Sequence, residues 1–138
     1  SELVMLQAEL NFITLYTELL QVRYGPSLRV EMPSVIDPAY LTRSVLPLSL
    51  LTLVENAVKY NGMSPRNPLV IRINITDAGL LRVINNRQHK SLRLDTSQDG
   101  LTNLMEKYRR IASQSILVEA TDSYFCVSVP LLTVGELG

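Results

Sequence analysis

The residues Leu53-Val54-Glu55-Asn56-Ala57-Val58-Lys59-Tyr60 hold the most chemistry in this sequence. Asn56, Lys59 and Tyr60 are spaced i, i+3 and i+4, so a helix brings them to one face. Apolar residues at 50, 53, 54, 57 and 58 form the buried stripe of the same helix. The polar face would present an amide oxygen, a cation and an aromatic ring. A hard Mg²⁺ takes oxygen ligands, a phosphate takes an ammonium, and a base packs on a ring. The set suits a magnesium nucleotide. Spacing alone also describes an ordinary solvated helix face.

Three predicted helices must position that face. The first spans 2–24, with Leu3, Leu6, Leu10, Ile13, Thr17, Leu20 and Tyr24 stepping by three and four. A second row, Phe12, Leu15, Tyr16, Leu19 and Val22, is read as lying beside it and as core or partner contact. Gly25-Pro26 stops this helix. Pro47 opens the second, which runs to Tyr60 and ends at Asn61-Gly62. Gly100 begins the third, ending near Ala112. Strands are predicted at 28–33, 70–75, 80–84, 115–120 and 124–131, with hairpin turns at Asp77-Ala78-Gly79 and Asp122-Ser123. Residues 85–99 are polar and aperiodic and read as a mobile loop. The order implies an α+β sandwich: one mixed, mostly antiparallel sheet covered on one face by three helices.

Composition narrows the function classes. Hydrophobic residues are 46% and charged residues 19%, which excludes a disordered tail. Thirteen basic residues balance thirteen acidic ones. Zero net charge argues against a nucleic-acid binder, which needs a cationic face. The most apolar stretch, 45–54, is about half of the ~20 residues a bilayer demands, and Pro47 interrupts it. The single cysteine, Cys126, forms no internal disulfide and reads as a packed strand residue. One histidine and one cysteine make no zinc set.

Leu46-Pro47-Leu48-Ser49-Leu50 followed by Leu53 to Asn61 resembles the N box of two-component sensor histidine kinases, in the form used by their LytS-like branch. Glu9-Leu10-Asn11-Phe12-Ile13 through Tyr16 to Val22-Arg23-Tyr24-Gly25 is similar to that branch's helix ending in R-[FY]-G. Gly100-Leu101-Thr102-Asn103-Leu104 with Tyr108-Arg109 looks like the second glycine box and its helix. Phe125 to Leu132 fits the closing strand. Each piece is weak alone; their order over the whole chain is specific.

The resemblance implies the Bergerat ATP-binding fold, with ATP and Mg²⁺ as cofactors. Asn56 would coordinate the Mg²⁺, Lys59 would touch phosphate oxygens, and Tyr60 would lie near the adenine and ribose. Glu55 would either polarise an attacking group or act as a surface carboxylate supporting Lys59. Asn85 stands where the first glycine box has its adenine-reading aspartate, and Gly100, Leu101 and Asn103 fall in the second box. The domain would pass the γ-phosphate to a histidine on its own dimerisation domain, expected before Ser1 in an N-P-H-F motif. A response regulator would receive the phosphate downstream. The parent would be a homodimer at the inner membrane, with residues 1–138 a single cytoplasmic domain.

The glycine boxes depart from that pattern. Asn85 offers an amide oxygen in place of a carboxylate. Asn86, Arg87 and Gln88 follow it and the first box's glycines are gone, while Gln98-Asp99-Gly100 retains one glycine of the second's two. Asp99 would repel a triphosphate unless a cation intervenes. These losses set a second reading beside the first: a degenerate domain that keeps the fold as an interaction module. His89 reads as a solvated loop residue, so this chain alone is not expected to phosphorylate itself.

Overall fold

The computed structural model describes residues 3–88 and 100–133. Its elements are β1 (Val4–Met5), α1 (Leu6–Tyr24), β2 (Leu28–Glu31), α2 (Pro38–Leu41), β3 (Ser44–Val45), α3 (Ser49–Lys59), β4 (Leu69–Ile75), β5 (Leu80–Asn86), α4 (Gly100–Ala112), β6 (Leu117–Ala120) and β7 (Tyr124–Pro130). Five strands form one sheet in the order β2-β4-β5-β7-β6. The β2–β4 pair is parallel and the others antiparallel, as the element order predicts. A parallel pair needs a long crossover, which α2, β3 and α3 supply. No helix among the described residues is long and apolar enough to cross a membrane.

Alternation along the strands separates the two faces of the sheet. Leu69, Ile71 and Ile73 of β4, Leu81 and Val83 of β5, and Val127 and Val129 of β7 are buried on the helix side. They pack with Leu50, Leu53, Val54 and Ala57 of α3 and Leu101, Leu104 and Tyr108 of α4 in one core. The Tyr108 phenol is fully buried, donates to the Pro130 carbonyl at 3.4 Å, and receives the Leu46 N–H at 3.4 Å. Burial pushes its pKa well above the usual tyrosine value, so it stays a neutral cross-link at any physiological pH.

Four expectations need correction. The two rows on α1 do not share a face. Leu6, Leu10, Ile13, Thr17 and Leu20 are buried, whereas Leu15, Leu19 and Val22 are 64%, 70% and 85% exposed. A two-residue offset turns about 200° around a helix, which puts the second row on the far side. The second helix begins at Ser49, not Pro47, because Leu48 takes a left-handed conformation (φ 64°) that ends the preceding chain. Asn85 and Asn86 complete β5 rather than opening a loop. Asn86 extends the ladder with its side chain, whose Oδ1 accepts from Val70 N at 2.7 Å and whose Nδ2 donates to the Pro68 carbonyl at 3.0 Å. Among the described residues there are also four α-helices, not three. The short α2 is opened by Asp37, whose carboxylate accepts from Ala39 N at 3.0 Å, with Pro38 at the first helical position. The part of the predicted loop from 89 to 99, including His89, lies outside the described residues.

The start of α3 is held by a residue of α1. The Glu9 carboxylate, buried, accepts from Leu48 N at 2.9 Å through one oxygen and from Leu50 N at 3.0 Å through the other. It satisfies N–H groups that a helix start leaves without intrahelical partners, and its charge opposes the positive end of the helix dipole. Glu9→Gln replaces one of the two acceptor oxygens with a donor facing an N–H. The expected loss is about 1.5–3 kcal/mol, read from the urea midpoint at unchanged slope. A change near zero would show that this cap does not tie α1 to α3.

Candidate functional site

Two cavities meet at Asn56. The larger, about 290 Å³, is lined by Asn56, Ala57, Tyr60, Asn61, Asn85, Arg87, Leu101 and Phe125. The smaller, about 160 Å³, is lined by Thr52, Glu55, Asn56, Lys59 and Gly100. The first combines a ring, apolar walls and amides; the second combines a cation, a carboxylate and the start of α4. Helix α3 supplies both, because Thr52, Asn56, Lys59 and Tyr60 lie along one side of it while Leu53, Val54 and Ala57 anchor the other.

Each wall has a local cause. Asn85 of β5 faces Phe125 of β7 across the antiparallel ladder, so both side chains project to the helix side. Asn85 is 3% exposed and its Nδ2 donates to the Asn86 carbonyl at 2.8 Å. That orientation leaves the Oδ1 as the acceptor end of the amide. Asn61 ends α3 from outside: its Nδ2 donates to the Ala57 carbonyl at 2.7 Å, at the Asn61-Gly62 stop that the sequence predicts. The Asn61 Oδ1 accepts from Gln88 N at 2.8 Å, and Gly62 N donates to the Gln88 carbonyl at 2.8 Å. The chain leaving β5 is thereby clipped to the end of α3. Arg87 is fixed on the other side, its backbone N donating to Ser123 O at 2.9 Å and its Nη1 to Thr121 O at 2.7 Å.

Around the second cavity, the Lys59 ammonium lies 5.4 Å from the centre of the Tyr60 ring. Glu55 accepts from the Tyr16 hydroxyl of α1 at 3.2 Å. Burial first, and then the Glu55 carboxylate, hold the Tyr16 pKa above its usual value, so the phenol stays a donor. Gly100 matters for its missing side chain: a Cβ there would stand 3.1 Å from Thr52 Cγ2. The absence of a Cβ lets the start of α4 approach α3 closely.

Of the residues singled out from the sequence, Asn56, Tyr60, Asn85 and Leu101 gather in the larger cavity, and Glu55, Asn56, Lys59 and Gly100 in the smaller. Asn103 is exposed on α4 and lines neither. Sequence reasoning did not pick out Thr52, Asn61 or Phe125 as site residues. Thr52 precedes Asn56 by one helical turn, and Phe125 follows from the alternation of β7, so both carried a signal.

Compared as a sequence, the chain matches no protein-family model and no curated protein. Compared as a structure, it is similar to histidine kinase domains. A nucleotide-free catalytic domain of the histidine kinase ThkA superposes with a TM-score of 0.61 at 15% identity, covering 94% of this chain and 96% of that one. The histidine kinase domain of a blue-light activated histidine kinase from Erythrobacter litoralis gives 0.53 at 16% identity, over 93% of this chain and 66% of that one. Full-length ShkA in complex with AMPPNP gives 0.51 at 16% identity, over 95% of this chain and 31% of that one. The chain therefore has the fold of histidine kinase catalytic domains.

Proposed function

We propose that this chain is the Mg-ATP-binding portion of a sensor histidine kinase of the LytS-like branch. The observation that carries the reading is the pair of cavities joined at Asn56, one suited to a base and the other to phosphates. In the first, Tyr60, Leu101 and Phe125 offer apolar and aromatic surface, and the Asn85 Oδ1 accepts from the exocyclic amine of adenine. In the second, Lys59 and the N–H groups at the start of α4 take phosphate oxygens. The solved complex of the similarly folded ShkA with AMPPNP supports a nucleotide as the occupant.

The residues present fit a magnesium ion. No group of three or more His, Cys, Asp or Glu among the described residues could cage a metal. Mg²⁺ needs no such cage, because it keeps water and nucleotide phosphates and takes one or two protein oxygens. The Asn56 amide oxygen would hold it, with the Glu55 carboxylate beside the same cavity. When bound, the ion supplies charge neutralisation between the phosphates. The acceptor of the γ-phosphate is a histidine on a separate dimerisation domain of the same protein, a homodimer at the inner membrane, and a response regulator follows. The exposed row Leu15, Leu19 and Val22 on α1 supports a helical neighbour of that kind.

One observation favours the second reading, a non-catalytic interaction module. Arg87, in the stretch that has lost the first box's glycines, lines the base cavity, and both its backbone and its guanidinium are pinned to the β6–β7 turn. A ligand would have to share the cavity with it.

Titration with Mg-ATP by calorimetry tests the proposal. Asn56→Ala removes the metal's amide oxygen, and affinity is expected to fall about tenfold to over a hundredfold, or about 1.5–3 kcal/mol. Lys59→Ala loses less, since its flexible ammonium is exposed. Absence of binding by the wild-type chain at millimolar Mg-ATP would replace the kinase reading with the interaction module.

Asn85→Asp gives a two-sided outcome. Restoring a carboxylate raises affinity for Mg-ATP. It also removes the amide hydrogens that meet the Asn86 carbonyl, so the ligand-free melting temperature falls. Equal affinity in both forms would remove Asn85 from base recognition. The chain alone should show no acid-labile phosphate incorporation from labelled ATP; incorporation abolished by His89→Ala would contradict the need for a separate acceptor domain.

A further inference from the structure

The face of the sheet away from the helices carries a second feature. A depression of about 500 Å³ lies there, with Arg29 of β2, Arg72 of β4 and Arg82 of β5 around a floor that includes Val70, Ile84 and Tyr124. No acidic residue among the described ones lines it. The acids on this face stand to the side. Glu31 pairs with Arg72 at 2.9 Å and reaches Arg29 at 3.7 Å, and Glu119 acts on Arg82 from β6. One carboxylate thus serves two guanidiniums, whose side chains stay 64% exposed. The Arg82 guanidinium donates to the Cys126 Sγ at 3.4 Å, a weak acceptor.

The strand register arranges these arginines in a line. Arg29 pairs with Val70, two residues before Arg72, and Arg82 pairs with Asn74, two residues after it. Each step goes one strand across and two residues along, about 8 Å from the strand spacing and rise. The row is therefore about 16 Å long, the span of roughly five extended residues. A line of that length suits a run of carboxylates better than one small anion. Guanidiniums are built to fork onto carboxylates, and a concave face over apolar side chains strengthens their field. Tyr124, 39% exposed, and Ile84 give the aliphatic stems of those carboxylate side chains an apolar floor.

We propose that this outer face is a docking surface for an extended acidic segment of a protein partner, with carboxylates at alternate positions so that all of them face the arginines. The surface lies on the opposite face of the sheet from the nucleotide cavities, and Asn85, near the end of β5, lines both. Ile84 and Tyr124 line the outer depression alone and Phe125 the base cavity alone.

The test uses the 138-residue chain and a fluorescein-labelled peptide with the core Glu-Phe-Glu-Val-Glu, followed by anisotropy. A peptide with lysine in place of each glutamate is the control. The acidic peptide binds, its affinity falls with added salt, and Arg72→Gln with Arg82→Gln weakens it at least tenfold. Amide shifts of the wild-type chain on adding peptide fall on β2, β4, β5 and β7, which locates the contact whether or not the double variant folds. Equal binding of acidic and lysine peptides, unchanged affinity in a folded double variant, or shifts confined to the helices would overturn the proposal. Tighter binding of phosphatidylserine vesicles or a single-stranded oligonucleotide through the same arginines would overturn it in favour of a membrane or nucleic acid.

Discussion

The buried carboxylate of Glu9 is the contact on which the arrangement of the helices turns. It is a charge removed from water inside α1, and burial of this kind is tolerated only where hydrogen bonds replace hydration. The start of α3 supplies them as two N–H groups at 2.9 and 3.0 Å. Leu48 takes its left-handed turn at the same place, and the Ser49 hydroxyl closes back on the Leu46 carbonyl at 2.7 Å. Tyr108 of α4 completes the junction by receiving Leu46 N. One short segment, Leu46 to Leu50, is thus gripped by α1, by α4 and by its own backbone. The two cavities lie further along α3, so the placement of Asn56, Lys59 and Tyr60 over the sheet is inherited from this junction.

The sheet distributes its chemistry by parity. Successive residues of β5 and β7 point to opposite faces, so Phe125 joins the helix-side cavity while Ile84 and Tyr124 join the outer depression, and Asn85 lines both. A one-residue slip would exchange the two sets. Register is held at the end of this ladder by the Asn86 side chain, bonded to both Val70 N and the Pro68 carbonyl. Beyond it, Gln88 is tied to Asn61 and Gly62, and Arg87 to the turn at 121–123. This segment is kept in place by side-chain bonds, and one of those side chains, Arg87, becomes a wall of the larger helix-side cavity.

The sequence by itself determined the elements whose signal is local. The three long helices, all five strands of the main sheet and the stop at Gly25-Pro26 follow from apolar period and turn chemistry, and Gly25 adopts the positive φ (54°) that such a stop uses. The i, i+3, i+4 spacing also put Asn56, Lys59 and Tyr60 on one side of a helix before any partner was known. Even Asp37-Pro38 carried a helix-start signal for α2, legible but overlooked.

Only the tertiary structure decided the rest, because it depends on residues distant in the chain. Nothing near Glu9 in sequence says that its carboxylate caps a helix some forty residues on. Nothing near Asn85 says that Phe125 stands opposite, nor near Arg29 that Arg72 and Arg82 continue its row. The same limit applies to α1. Periodicity marked two apolar rows, but which of them is buried depends on where α3 and β2 lie, and they cover Leu6, Ile13 and Leu20 while leaving Leu19 and Val22 to solvent. Local pattern specifies what an element is; the pairing of elements specifies which of its side chains meet.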